Sequence, residues 1–81
     1  MNDQKSAIEL VRAELDRARR LHRPMRSAHG GYAVLLEEMD ELWAAVKTWP
    51  APGCEAAIVK EAVQVGAMAL RFLEDVCGAN H

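Results

Sequence analysis

The chain has 81 residues, enough for one small domain spanning 1–81 and too few for more. Half of the residues are apolar (51%), a globular rather than a disordered composition. The net charge of −2 is unevenly divided: residues 1–31 hold seven Lys/Arg against four Asp/Glu, and residues 32–81 hold three against eight. An acidic half beside a small basic cluster would repel a phosphate backbone, so nucleic acid is not an expected partner.

Only 5% of residues are aromatic, and Ala, Leu, Glu, Arg and Met are plentiful. That composition favours helix. No apolar run reaches the length of a membrane span and no signal peptide is visible, so a cytoplasmic protein without a membrane partner is expected. Cys54 and Cys77 are then reduced thiols.

The first helix is expected over about 3–22. Ile8, Val11, Leu15, Ala18 and Leu21 recur at three- and four-residue steps. Its acids are paired locally, Glu9 with Arg12, Glu14 with Arg17, and Asp16 with Arg19 and Arg20. Pro24 stops it. The connection RPMRSAHGG reads as a loop.

The second helix is expected over about 31–47, with Leu35, Met39, Leu42, Val46 and Trp49 as its stripe and Trp43 beside it. The turn WPAPG (49–53) ends it. The third is expected over about 54–77, with Gly78 at the C-cap position. From Ala62 to Leu70 it reads AVQVGAMAL, with one polar side chain. A helix apolar all round must be covered all round. Gly66, Ala67 and Ala69 would let another helix approach closely, so a homodimer or larger assembly is expected.

The segment EEMDE (37–41) places four acids in five residues, with no Lys or Arg within one turn. Glu38 and Glu41 share a face, and Glu37 adjoins Glu41. Such a run is often only a solvated face. Yet the third helix carries a second polar pair, Glu61 and Gln64, at the same spacing. Glu41 and Glu61 each lie eight residues from the intervening turn. Antiparallel helices would bring the pairs together, and carboxylates with an amide oxygen suit Mg²⁺ or Mn²⁺ rather than zinc.

EEMDE followed by EAVQ resembles the EExxE…ExxD signature of the MazG-like all-α nucleoside triphosphate pyrophosphohydrolases. Relatives of that family include dimeric dUTPases and phosphoribosyl-ATP pyrophosphohydrolases. AHGGYAVLLEEMDELW and KEAVQVGAMALRFLED look like the small members found in phages and prophages. The resemblance covers the second and third helices.

It implies a three-helix protomer assembling into a four-helix-bundle-type oligomer, a homodimer or homotetramer. It also implies Mg²⁺-dependent cleavage of a nucleoside triphosphate to the monophosphate and pyrophosphate. Carried over, Glu38, Glu41, Glu61 and Gln64 would ligate metal, Gln64 standing where the family has Asp. Glu37 would bind a second metal or orient the attacking water.

Arg23, Arg26 and His29 lack local partners in the sequence and are the expected phosphate-binding residues. Tyr32 and Trp43 are candidates to stack on a base, although helical aromatics are more often core or interface. Two other readings stay open. One is a catalytically weak or inactive oligomer of this kind that binds nucleotide or a protein partner. The other is a helical interaction module with solvated acids.

Overall fold

The computed structural model describes residues 5–79. These are all-helical: α1 (Ala7–Leu21), α2 (Ala28–Val46) and α3 (Cys54–Arg71), which runs on into a π-helical turn, Phe72–Val76. No helix among them is long and apolar enough to cross a membrane.

α1 starts at a reciprocal cap. The Glu9 N–H donates to Ser6 Oγ at 3.2 Å, and the Ser6 N–H donates to Glu9 Oε1 at 2.8 Å. Lys5 and Ser6 therefore precede the helix, and the expected start at Asp3 lies outside the described residues. Glu9 serves this cap rather than Arg12. The helix stops at His22, whose backbone is extended ahead of Pro24.

α2 begins three residues earlier than expected. Ser27 caps it, accepting the Gly30 N–H at 3.0 Å, so Gly30 and Gly31 lie inside the first turn. The second glycine is there for packing. A Cβ on Gly31 would stand 2.7 Å from Phe72 Cδ2 and 3.1 Å from Met25 Sδ. α3 begins after Gly53, which takes a left-handed φ of 83° open mainly to glycine.

The third helix is not one α-helix to residue 77. Its end widens to a π turn closed by Cys77 N–H donating to Phe72 O, and Gly78 follows at φ 72°. This turn is where the ends of the fold are tied together. Asp75 accepts the Met25 N–H at 2.9 Å, and Arg19 pairs with both Glu74 and Asp75 rather than with Asp16. Arg71 is 5% exposed and donates to the Arg23 carbonyl at 2.9 Å, holding the α1–α2 loop across α3.

Neighbouring residues give the directions. Gly31 meets Phe72 while Glu38 and Glu41 meet Glu61, so α2 and α3 are antiparallel. Val11 meets Gly66 while Arg19 meets Glu74, so α1 and α3 run parallel. α1 and α2 each pack on α3, and no Cα of one comes within 8 Å of a Cα of the other. The result is a flat layer with α3 in the middle, 39 × 31 × 19 Å.

A layer buries little. The core is Ala18, Met25, Cys54, Ala67 and Met68, flanked by half-buried Val11, Leu15, Val34, Leu35, Phe72 and Val76. The expected α2 stripe is therefore only partly inside. Leu35 and Leu42 are half-buried, whereas Met39, Val46 and Trp49 are exposed. On α1, Ile8 and Leu21 at the two ends of the stripe are also exposed. The small residues of α3 serve the chain itself: Gly66 sits against Val11, and Ala67 is fully buried.

The Gly31 contact yields a test. Gly31→Ala gains helix propensity worth up to about 1 kcal/mol, but its methyl must displace Phe72. The expected net result is destabilisation of about 1–2 kcal/mol, read as a lower urea midpoint. An equal or higher midpoint would show that the Phe72–Gly31 contact is not tight.

Candidate metal centre

α2 turns Glu38 toward α3 because Gly31, Val34, Leu35, Leu42 and Ala45 on the same side pack there. Glu41 lies one turn on, at the edge of that side. Glu61 comes from α3, which runs back past α2 after the Pro/Gly turn. One carboxylate oxygen from each of Glu38, Glu41 and Glu61 lies within 4.8 Å of the other two.

Three carboxylates so close should repel, and Glu38 bears the strain. Its Oε1 is sealed from solvent and has no hydrogen-bond partner, although the carboxylate as a whole lies nearer the surface. Burial pushes the Glu38 carboxyl above its usual range, and the charges of Glu41, Glu61, Glu37 and Glu14 push it further the same way. No Lys or Arg forms an ion pair with these acids among the described residues.

Gln64, one turn beyond Glu61, meets α1. Arg17 donates two hydrogen bonds to Glu14 at 3.0 Å and holds that carboxylate below its usual range, with the Gln64 amide adding to the effect. Glu14 thus links Gln64 to the neighbourhood of Glu38. A groove of about 350 Å³ between α1 and α3 includes Glu14, Arg17, Lys60 and Gln64 in its lining.

The remaining sequence candidates are not gathered here. Glu37 is exposed on the flank of the cluster and is felt through its charge on Glu38. His29 stands nine residues before Glu38, about 13 Å along the axis at 1.5 Å per residue. Arg23 and Arg26 lie farther off, in the loop. Tyr32 and Trp43 are exposed on the side of α2 turned away from Glu41, with Lys47 Nζ 5.9 Å from the Trp43 ring centre.

Glu14 and Lys60 were not singled out from the sequence. Glu14 carried a readable signal, since it lies three residues after Val11 and four before Ala18 on the packed side of α1. Its local pairing with Arg17 masked that. Lys60 carried none.

The donor set fits a hard divalent cation. It offers three carboxylates, one sealed oxygen lacking a partner, and an amide nearby. Without a cation the cluster is unfavourable. The folded Glu38 carboxyl binds its proton more tightly than in the unfolded chain, so its penalty is full above its raised folded value. The penalty disappears as pH falls below the ordinary value of 4.5. Glu38→Gln should therefore raise the melting temperature of metal-free protein near neutral pH by ~2–5 °C. The gain should shrink as pH approaches 4.5. A variant that melts lower than wild type at neutral pH would sink this account. Comparison with known proteins adds no identity: no family model, no curated protein and no solved structure matches the chain.

Proposed function

We propose that the protein is a Mg²⁺-dependent nucleotide pyrophosphohydrolase, active on an NTP or dNTP and working as a homodimer or homotetramer. The observation that carries this reading is Glu38. Its sealed, partnerless oxygen sits between two more carboxylates from two antiparallel helices. The resemblance of EEMDE and EAVQ to the MazG-like signature supports the choice of reaction.

Glu38, Glu41 and Glu61 would hold the cation (Mg²⁺, with Mn²⁺ as a substitute), and the Gln64 amide oxygen would complete the set. Gln64 stands close enough to Glu14 to help hold that carboxylate below its usual range, so its N–H₂ side faces Glu14 and its carbonyl would be the end offered to a metal. When bound, such an ion would supply neutralisation of phosphate charge and a more acidic water. Glu37, exposed beside the cluster, orients that water and takes its proton. The water oxygen bonds to one phosphorus of the α–β anhydride, that phosphorus loses its bond to the bridging oxygen, and the other half departs with the bonding electrons, giving the monophosphate and pyrophosphate. Arg17 and Lys60 in the adjoining groove are the cations best placed for phosphate oxygens. Arg23, Arg26 and His29 bind phosphate only if the nucleotide extends toward the loop.

A second reading has its own observation. Gln64 stands where the signature has Asp, so the site holds one negative charge fewer. That favours a catalytically weak or inactive MazG-like oligomer which binds nucleotide or a protein partner.

Pyrophosphate release across canonical and modified nucleotides with Mg²⁺ separates the two. The hydrolase reading expects turnover, loss of at least about 100-fold in Glu38→Ala, and retained or raised activity in Gln64→Asp. No pyrophosphate from any nucleotide, with metal-dependent binding still seen by calorimetry, would select the second reading. In parallel, Mg²⁺ should raise the melting temperature of wild type and leave Glu38→Ala unmoved. An equal shift in both would remove the cluster as the metal site.

A further inference from the structure

The two faces of the layer differ. Glu41, Glu14 and Gln64 lie on one, which the 22–27 loop also crosses. The other carries mostly apolar side chains. On α2, Tyr32, Leu36, Met39, Trp43 and Val46 follow alternating four- and three-residue steps and so form one straight ridge. On α3, Val59, Ala62, Gly66, Ala69 and Leu73 do the same with mostly small side chains. Because α2 and α3 are antiparallel, both lines emerge on this face. Beyond α3 the face dips into a groove of about 740 Å³ over Ile8, Val11, Leu15, Gly66 and Leu70.

We propose that this face docks a second copy of the chain, the α2 ridge of each protomer lying in the α1–α3 groove of the other. The inference rests on the oligomeric part of the function proposed above and adds which faces meet and how. Four observations select a second copy as the occupant.

The ridge and the groove belong to the same face of one chain, so the face is complementary to itself, as a two-fold interface requires. A two-fold axis parallel to the helices sets α2 of one copy over the groove of the other. The register is right as well. Gly31 lies level with Phe72, and Val11 with Gly66. Counting along the helices from those pairs brings Met39 level with Ile8.

Of the charged residues that also line the groove, Arg19 and Glu74 pair with each other, which leaves Arg12 and Asp16, and Arg12 lies about one helical turn from the level of Asp40 beside the ridge. The apolar exposure is also extensive. The ridge residues, with Ile8, Val59 and Leu73 on this face, are each 37–74% exposed, an apolar surface of the extent that marks an interaction site.

This arrangement is back to back. It leaves both acidic clusters facing outward, each complete within one protomer. It also buries Trp43 and Tyr32 between copies, which assigns them to the interface rather than to a nucleotide base.

The test is light scattering after size exclusion on wild type, Met39→Glu and Ile8→Lys. Met39 and Ile8 are 48% and 74% exposed in the chain, so neither change should alter the helical circular dichroism. Wild type is expected to assemble. Each variant alone should associate on the order of 100-fold more weakly, because a charge then enters an apolar contact. Mixing the two variants should restore assembly, since the carboxylate introduced in one copy then faces the ammonium introduced in the other. A tetramer whose mass halves in both variants carries the same conclusion.

Wild type that stays monomeric overturns both this proposal and the oligomeric reading. Assembly unchanged in both variants overturns this face and leaves the oligomeric reading standing. Loss in Met39→Glu alone, or no rescue on mixing, overturns ridge-into-groove docking in favour of another packing.

Discussion

Everything in this fold depends on α3 having two neighbours whose backbones stay apart. α2 lies along one side, antiparallel, and α1 along the opposite side, parallel. A helix in the middle of a layer keeps two open sides, and each is used differently here. One holds the acidic cluster at the seam with α2 and the Gln64–Glu14–Arg17 chain at the seam with α1. The other is mostly apolar and carries the groove over Gly66. The same geometry explains the small core: a layer one helix thick cannot enclose large side chains, so Ala18, Ala67 and Met68 are among its most buried residues.

The layer is stitched at one end and open in the middle. Arg71 reaches the Arg23 carbonyl, Asp75 takes the Met25 N–H, and Arg19 joins α1 to the π turn. These polar ties cluster where three elements and a loop converge, and Gly31 lets Phe72 close that end. The opposite trend holds at Glu38. There polar groups are brought together without compensation, and the cost appears as a carboxyl held above its normal range. Proteins tolerate such local penalties mostly at functional sites. What marks the cluster out is its charge: three carboxylates converge there with no Lys or Arg paired to them among the described residues, whereas the unpartnered atom at the tied end, Arg71 Nε, belongs to a guanidinium that already donates to the Arg23 carbonyl.

The convergence of Glu38, Glu41 and Glu61 is readable in the sequence because its logic is local. EEMDE lacks a cation within one turn, and Glu61 lies as far past the WPAPG turn as Glu41 lies before it. Antiparallel packing then brings the acids together. The α2 stripe was misread for an equally physical reason. Leu35, Leu42, Met39 and Val46 are all apolar at helical spacing, and periodicity cannot tell a side packed within the chain from one left for a partner. The early start of α2 was hidden by the glycine pair, which reads as loop until Ser27 is seen capping it. The pairing of Arg19 with Glu74 and Asp75 spans more than fifty residues, out of reach of any local rule.

By itself, then, the sequence determined three helices, their turns and the acid pattern on α2 and α3. Those follow from propensity, caps and spacing within a few residues. Only the tertiary structure decided that the backbones of α1 and α2 stay apart on either side of α3, that Glu14 comes near Gln64, and that Trp43 and Met39 share a face turned away from the acids. Those facts depend on the directions in which helices pack, and packing direction is set by long-range contacts such as Gly31 with Phe72 and Val11 with Gly66.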